Sequence, residues 1–536
     1  MAASGETVVE LLAAAARAEQ GRGGLLVPHE QQFRFLSWRE VVALACRGAD
    51  ALAKRGIGCG DRVTVAAVNS LEWIVADFAI QMLGGVVAPL HVSLSGQQLA
   101  WQLEHSNSRL LIAADEVQGK LTAIAAQLPT PAPLVTWRDW SQAFAAGDEA
   151  AGRAIFARTL ARVTPQTLSS IVYTSGTSGE PRGVMLTQGN LAANARGVCH
   201  GFAGNADDCR LNSLPFSHAY ARMSDLYVSL AGQTRLALGR QRDSLVADAQ
   251  AVQPTLLVVV PLQLARIRAT AIATYGTTDK AAVCKLLGGR VRGFICGGAP
   301  LASELHEYFD SQSTPVWEGY GLTEASPVVT LSQIRANQQN CVGQAVPGTE
   351  LRLADDGELL VRGPQVMAGY WRDVAATADV LRDGWLHTGD LATIDAAGFV
   401  CLHGRKREFI ALASGKKVWP ATIEARFADD PTIAQIMVVG EGQRALGALV
   451  VPRQSPAQQV TDASGLNSAA PRQAMLNYLA TRLTDAAAEE QIRHLWILAE
   501  PWTAERDELT PKLTLRRPVI LQHYAECVRR MFVDDA

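Results

Sequence analysis

The densest chemistry in the chain lies in LSSIVYTSGTSGEPRGVMLT, residues 168–187. An apolar, strand-like run gives way after Val172 to some ten residues of Thr, Ser, Gly, Pro and Arg, with a helix expected from 188. Gly176, Gly179 and Gly183 can take backbone conformations that other residues resist, so successive N–H groups can converge on phosphate oxygens. Thr174, Ser175, Thr177 and Ser178 add hydroxyl donors, and Arg182 adds a permanent positive charge. The pattern predicts an anion cradle. It contains no G-x-x-x-x-G-K-[ST], which excludes a Walker-type phosphate loop. On residues alone, a plain surface loop between two elements is an equal alternative.

Short buried-type strands must deliver such a segment. Ser37 to Arg55 opens on S-W-R-E, a capping-box pattern, and stops at Gly56, so a helix is expected. Residues 62–68, 71–83 and 86–90 then alternate strand, helix, strand. The alternation recurs at 107–114, 168–174, 254–260 and 291–296, which predicts an α/β fold of parallel and mixed sheets with flanking helices. Between 343 and 403 the texture changes to short runs broken by Gly, Pro and Asp, the mark of β-hairpins and of a β-rich subdomain. A fresh start after Arg405 predicts a large domain over 1–405 and a small separate α+β domain over 408–536. The polar stretch 453–471 reads as a loop.

Composition narrows the function classes. Of 536 residues 48% are apolar and 19% charged, which excludes a disordered, collagen-like or coiled-coil chain. Lys and Arg number 49 against 52 Asp and Glu, a net charge of −3, so binding of nucleic acid through bulk basic charge is not expected. The nine cysteines lie far apart with no C-x-x-C, so neither a disulfide nor a structural zinc site is expected, and a reduced, cytoplasmic protein is. The N-terminal residues read as an amphipathic helix, not an export signal, and no apolar run approaches the roughly 20 residues that cross a bilayer. The C-terminal PVILQHYAECVRRMF could lie weakly on a membrane surface; docking on its own domain is the preferred reading.

The string YTSGTSGEPRGV resembles the phosphate loop of the adenylate-forming superfamily, which includes acyl-CoA synthetases, luciferases and peptide-synthetase adenylation domains. Five further stretches follow in that family's order: CGGAPL (296–301), WEGYGLTEASP (317–327), GWLHTGD (384–390), GRKREFIALASGKKVWPATIE (404–424) and ELTPKLTLRR (508–517). Six motifs in sequence make a specific signal where any one alone is weak. The resemblance implies that Gly298 and Ala299 give adenine a close backbone approach and that Tyr320 lies against the base. It implies that Asp390 accepts the ribose hydroxyls with Arg405 assisting, and that Thr323 bonds the α-phosphate. Glu324, with Thr174, would hold Mg²⁺ between phosphates. His218 in LPFSHAYAR would stand near the acyl entrance. Residues 404–407 would form the hinge, with Arg407 as its pivot, and Gly415 would lie on the loop that meets the pantetheine channel.

One departure concerns the C-terminal motif. Fatty-acid-activating relatives often read L-T-P-T-L-K where this chain reads L-T-P-K-L-T, so Thr514 occupies the usual lysine position. Pro511 biases its surroundings toward extended backbone, which puts positions 512 and 514 on the same side, roughly 7 Å apart. Lys512 is therefore the expected catalytic cation. The function implied is ATP-dependent activation of a carboxylic acid, most closely a long-chain fatty acid, to acyl-AMP, followed by transfer to coenzyme A. The alternatives are an acyl-AMP ligase that loads a carrier protein and a non-catalytic nucleotide- or acyl-binding protein.

Overall fold

Helix Trp38–Lys54 begins where the sequence caps it. The Glu40 amide donates to Ser37 Oγ at 3.3 Å and the Ser37 amide donates to Glu40 Oε2 at 2.7 Å, so two orphan helix-end donors are satisfied reciprocally. The computed structural model describes the chain apart from residues 1–5, 19–22, 129–131, 176–180, 203, 241–243, 277–278, 334–337, 339–340, 429, 454–465, 485, 504, 510–513 and 534–536, and apart from the side chain of Ser175. Most of the expected loop at 453–471 falls outside those described residues.

Two large sheets organise the first 400 residues. In the seven-stranded sheet the order is Gly369–Tyr370, Pro181–Thr187, Leu168–Ser175, Val86–Leu90, Arg62–Ala66, Leu110–Ala113 and Leu134–Thr136. In the nine-stranded sheet, strands Val316–Gly321, Gly293–Cys296, Leu256–Val259, Cys209–Asn212, Arg235–Leu238 and Gly24–His29 run parallel, with antiparallel strands at both edges. Val86–Leu90 and Leu256–Val259 are buried at every position, as parallel strands covered by helices on both faces must be.

Helix Leu71–Met82 is buried along almost its whole length and carries one charge into the core, Asp77. Arg222 pairs with it; the Tyr227 hydroxyl lies 3.0 Å from Asp77 Oδ2, and Arg222 Nη1 donates to Ser170 Oγ at 2.8 Å. Buried charges must be paired, and this cluster ties the helix and residues 222–227 to strand Leu168–Ser175.

The segment after Val172 departs from its expected form. Residues 181–187 are not a loop running into a helix but a strand, antiparallel to Leu168–Ser175 with Thr174 opposite Arg182. Helix Gln188–Phe202 follows the second strand directly.

Strands Glu350–Leu353, Glu358–Arg362, Leu381–Arg382, Trp385–Ile394 and Val400–Arg405 form a five-stranded sheet. The surrounding region is sewn into both large sheets: Gln344–Ala345 pairs with Val328–Leu331, and Gly369–Tyr370 with Pro181–Thr187. Cys341 and Cys401 form a disulfide, which corrects the expectation that there is none. The two cysteines are 60 residues apart in sequence, a spacing that carries no signal. The chain brings them together because the Val342 amide donates to the Val400 carbonyl at 2.7 Å and the Val400 amide to the Gly343 carbonyl at 2.9 Å.

Beyond Arg405 a three-stranded sheet of Ile433–Val439, Leu446–Pro452 and Ile492–Ile497 has its own core. Helix Ala469–Arg482 covers one face through Leu479, and helices Arg517–His523 and Ala525–Val533 cover the other through the fully buried Ile520 and Met531. The apolar side of the last helix therefore packs on its own sheet. Among the described residues no helix is long and apolar enough to cross a membrane.

Candidate active site

A cleft of about 2920 Å³ opens between the C-terminal ends of the nine-stranded sheet, the 168–187 hairpin and the region after 405. Thr174, Arg182, His218, Gly298, Ala299, Tyr320, Thr323, Glu324, Asp390 and Arg405 all line it. Gly176, Thr177, Ser178 and Gly179 lie outside the described residues, as do the side chain of Ser175 and Lys512. Thr514, which takes the usual lysine position, lines the cleft.

Strand Val316–Gly321 positions one cluster. The Tyr320 hydroxyl donates to Asp390 Oδ2 at 2.5 Å, and Arg405 Nε donates to Asp390 Oδ1 at 3.1 Å. Asp390 and Arg405 face each other across neighbouring strands, which fixes that pair by register. Burial pushes the Asp390 carboxyl above its ordinary value, against the opposing pull of Arg405 and Tyr320. Burial also pushes the Tyr320 phenol well up, so it stays a proton donor. The result is a carboxylate held in place by two groups and facing an open cleft, the acceptor that a vicinal diol needs. Gly298 stands nearby with φ 86°, a left-handed backbone that favours glycine, and a Cβ there would meet nothing closer than 3.9 Å. Its role is therefore conformational and not one of space.

A second cluster sits at the base of the phosphate hairpin. The Arg182 guanidinium lies 5.2 Å from the centroid of the Tyr370 ring, and the Tyr370 hydroxyl donates to Glu324 Oε1 at 2.8 Å. Glu324 is held in a turn at Thr323–Ala325, and its carbonyl accepts from the Met367 amide at 2.8 Å. Among the described residues Oε2 of Glu324 takes no hydrogen bond, and Glu324 and Thr174 both line the cleft. Those donors fit Mg²⁺, which takes one or two protein oxygens and fills its shell with phosphate and water. Among the described residues no three His, Cys, Asp or Glu side chains cluster to cage a metal on their own.

Several partners escaped the sequence reading. Tyr370 is one; a Gly-Tyr pair after a hairpin region carries no local signal of contact with residues 182 and 324. Glu358 is another: its carboxylate accepts from the Gly389 amide at 2.9 Å and from Lys406 Nζ at 3.1 Å, and lies 3.3 Å from His387 Nδ1. Against burial, those three hold the Glu358 carboxyl below its usual value. Glu318, opposite Cys296 on the neighbouring strand, also lines the cleft, and burial pushes its carboxyl to about 7. Tyr220 braces the same wall, its hydroxyl donating to the Ile295 carbonyl at 3.1 Å.

His218 lies at the far side of the cleft with its ring centroid 5.2 Å from that of His91. Gly415 is not brought to the cleft. It sits at the exposed turn between strands Ile410–Ala411 and Lys417–Val418, with φ 81° and open space around the position of a Cβ.

The AMP-binding enzyme family matches residues 15–371, and the C-terminal domain of AMP-binding enzymes matches residues 407–536. The long-chain-fatty-acid–CoA ligase FadD15 of Mycobacterium bovis is 30% identical over 545 aligned positions, covering 90% of this chain and 89% of the relative. The indoleacetate–CoA ligase of Aromatoleum aromaticum is 30% identical over 456 positions, covering 81% of this chain and 85% of the relative. Among solved structures, an anthranilate CoA ligase in complex with anthranoyl-AMP superposes with a TM-score of 0.80 at 18% identity, covering 97% of this chain and 98% of that one, a likeness of fold.

Proposed function

The chain belongs to the AMP-binding enzyme family, and from that premise we propose that it is a fatty acid–CoA ligase working through an acyl-adenylate. The observation that carries the proposal is that the Tyr320–Asp390–Arg405 cluster and the Arg182–Tyr370–Glu324 cluster line one cleft. One suits a ribose and the other a polyphosphate, and the phosphate hairpin begins beside the second.

In the first half-reaction a carboxylate oxygen attacks the α-phosphorus of ATP, and the bond to the bridging oxygen breaks to release pyrophosphate. Both reactants are anions, so positioning and charge stabilisation carry the rate. Asp390 holds the ribose, Tyr320 and the Gly298–Ala299 turn hold the adenine, and Thr323 and the hairpin 174–182 hold phosphate oxygens. Glu324 and Thr174 would hold Mg²⁺, which supplies charge neutralisation on the phosphates. Lys512, two positions before Thr514, is assigned the cation beside the attacked phosphate, and His218 borders the acyl entrance.

In the second half-reaction the coenzyme A sulfur attacks the acyl carbonyl and AMP leaves, the thiol proton passing to solvent. Gly415 stands outside the cleft, so bringing its loop to the pantetheine arm calls for a swing of residues 408–536 about 404–407. A cytoplasmic setting suits a reaction that draws on ATP and coenzyme A.

Isotope exchange between pyrophosphate and ATP, run with a panel of fatty acids and followed by addition of coenzyme A, tests the reading. Exchange that depends on the fatty acid, followed by thioester, is the expected result. No exchange with any acid overturns it. Exchange without thioester replaces it with transfer to a carrier protein.

A further inference from the structure

The described residues on either side of Lys512 close on each other. Leu509 and Leu515 pair as an antiparallel bridge, and the Arg516 amide donates to the Glu508 carbonyl at 2.8 Å. Glu508 is buried; it accepts from Arg506 Nε at 2.9 Å and lies 3.1 Å from His523 Nδ1, so the base of this hairpin is fastened to its own domain. Asp507, one residue earlier, behaves differently. Its backbone is left-handed, at φ 61°, and its carboxylate reaches outward, pairing with Arg516 and accepting from Gln98 Nε2 at 2.9 Å.

Gln98 belongs to the large domain and lies 409 residues away in sequence. It is in the first turn of helix Gly96–Ser106, and its Oε1 accepts from the Ser95 amide at 3.2 Å, which turns its NH₂ group toward Asp507. The far end of the same helix carries His105, whose Nδ1 is 3.1 Å from the Tyr173 hydroxyl, next to Thr174. One helix therefore touches both strand Leu168–Ser175 and Asp507, next to the Leu509–Leu515 bridge.

We propose that Gln98 and Asp507 are positioning residues for the adenylation half-reaction: their hydrogen bond docks the Leu509–Leu515 bridge at the cleft while the α-phosphate is attacked, and breaks when the small domain swings for the thiol step. The proposal rests on the adenylation reading above. One amide-to-carboxylate bond at a half-buried site can bias a two-state arrangement and still open at every turnover. Arg516 fixes the orientation of the Asp507 carboxylate, so the acceptor is set before the domains meet.

The test compares the wild type with Gln98→Ala, Asp507→Ala, the double variant and Gln98→Lys. Two rates are read separately: pyrophosphate–ATP exchange with a fatty acid, and thioester formation from supplied acyl-AMP and coenzyme A. Each alanine variant is expected to lower the exchange kcat about tenfold with little change in the KM for ATP, and the double variant to fall no further than the worse single one. Gln98→Lys, which replaces the hydrogen bond with an ion pair to Asp507, is expected to retain most of the exchange. Thioester formation stays at the wild-type rate throughout. Wild-type exchange in all variants overturns the latch and leaves the adenylation reading intact. An equal fall in both half-reactions, with a lower Tm, also overturns it, because that is the behaviour of a merely structural contact. Absence of exchange in the wild type overturns both.

Discussion

The two walls of the cleft are built differently. The large-domain wall presents Tyr320, Arg182 and Asp390 from strands and Glu324 from a tight turn, each held by a second side chain that is itself buried or paired. The wall from beyond Arg405 includes the residues closed by the Leu509–Leu515 bridge, while the exposed turn at Gly415 stands outside the cleft. On the function proposed above, the nucleotide, needed in both half-reactions, would be served from strands, and groups needed in only one would be carried on segments that leave.

The sharpest way to break this contrast is at Glu324. Glu324→Ala is expected to lower pyrophosphate–ATP exchange by about three orders of magnitude, the effect of losing a group that stabilises charge on the transferring phosphates. Thioester formation from supplied acyl-AMP should fall far less, since no pyrophosphate is present in that step; equal losses would show Glu324 to be a structural acid.

Asp390→Asn comes next. The amide keeps the shape and loses the charge, and the KM for ATP should rise about tenfold to a hundredfold. Affinity for acyl-AMP in the second step should fall in parallel, because the ribose contact is common to both; a change in one step alone would dissolve the distinction between the two walls.

Gly415→Ala probes the turn that stands outside the cleft. A Cβ at that position meets no atom, so the only penalty is the left-handed φ of 81°, worth about 1 kcal/mol. Thioester formation should slow several-fold with exchange unchanged, as followed by coenzyme A thioester assay.

The smallest expected effect is at Glu318. Its folded value of about 7 lies above the ordinary 4.5, so the native state keeps the proton longer than the unfolded chain does. The cost to stability is nil below pH 4.5 and complete above pH 7, which makes stability fall as pH rises through that window. Glu318→Gln should remove this slope, raising Tm at pH 8 relative to pH 5 by the equivalent of on the order of 1 kcal/mol for a carboxyl that is partly exposed. An unchanged difference between the two pH values in thermal unfolding would reject the assignment.

What could be read in the sequence was local. Ser37 and Glu40 announce a capped helix because the residues that bond are three apart, and the strand–helix alternation from 62 to 90 follows from periodicity alone. The motif stretches named side chains that the fold brings to one cleft. They did not tell that 181–187 is a strand, since Pro, Arg and Gly suppress strand propensity and the pairing with 168–175 is what makes it one. Tyr370, Glu358 and the Cys341–Cys401 pair were invisible for a single reason: each acts through partners brought close by sheet register, and register is a property of the assembled fold.

Glu358 has one more consequence. Because its carboxylate accepts from both the Gly389 amide, next to Asp390, and Lys406, the backbone on either side of Arg405 is tied to strand Glu358–Arg362. On the function proposed above, the swing of residues 408–536 would then turn at Arg407 and leave the Asp390 carboxylate in place.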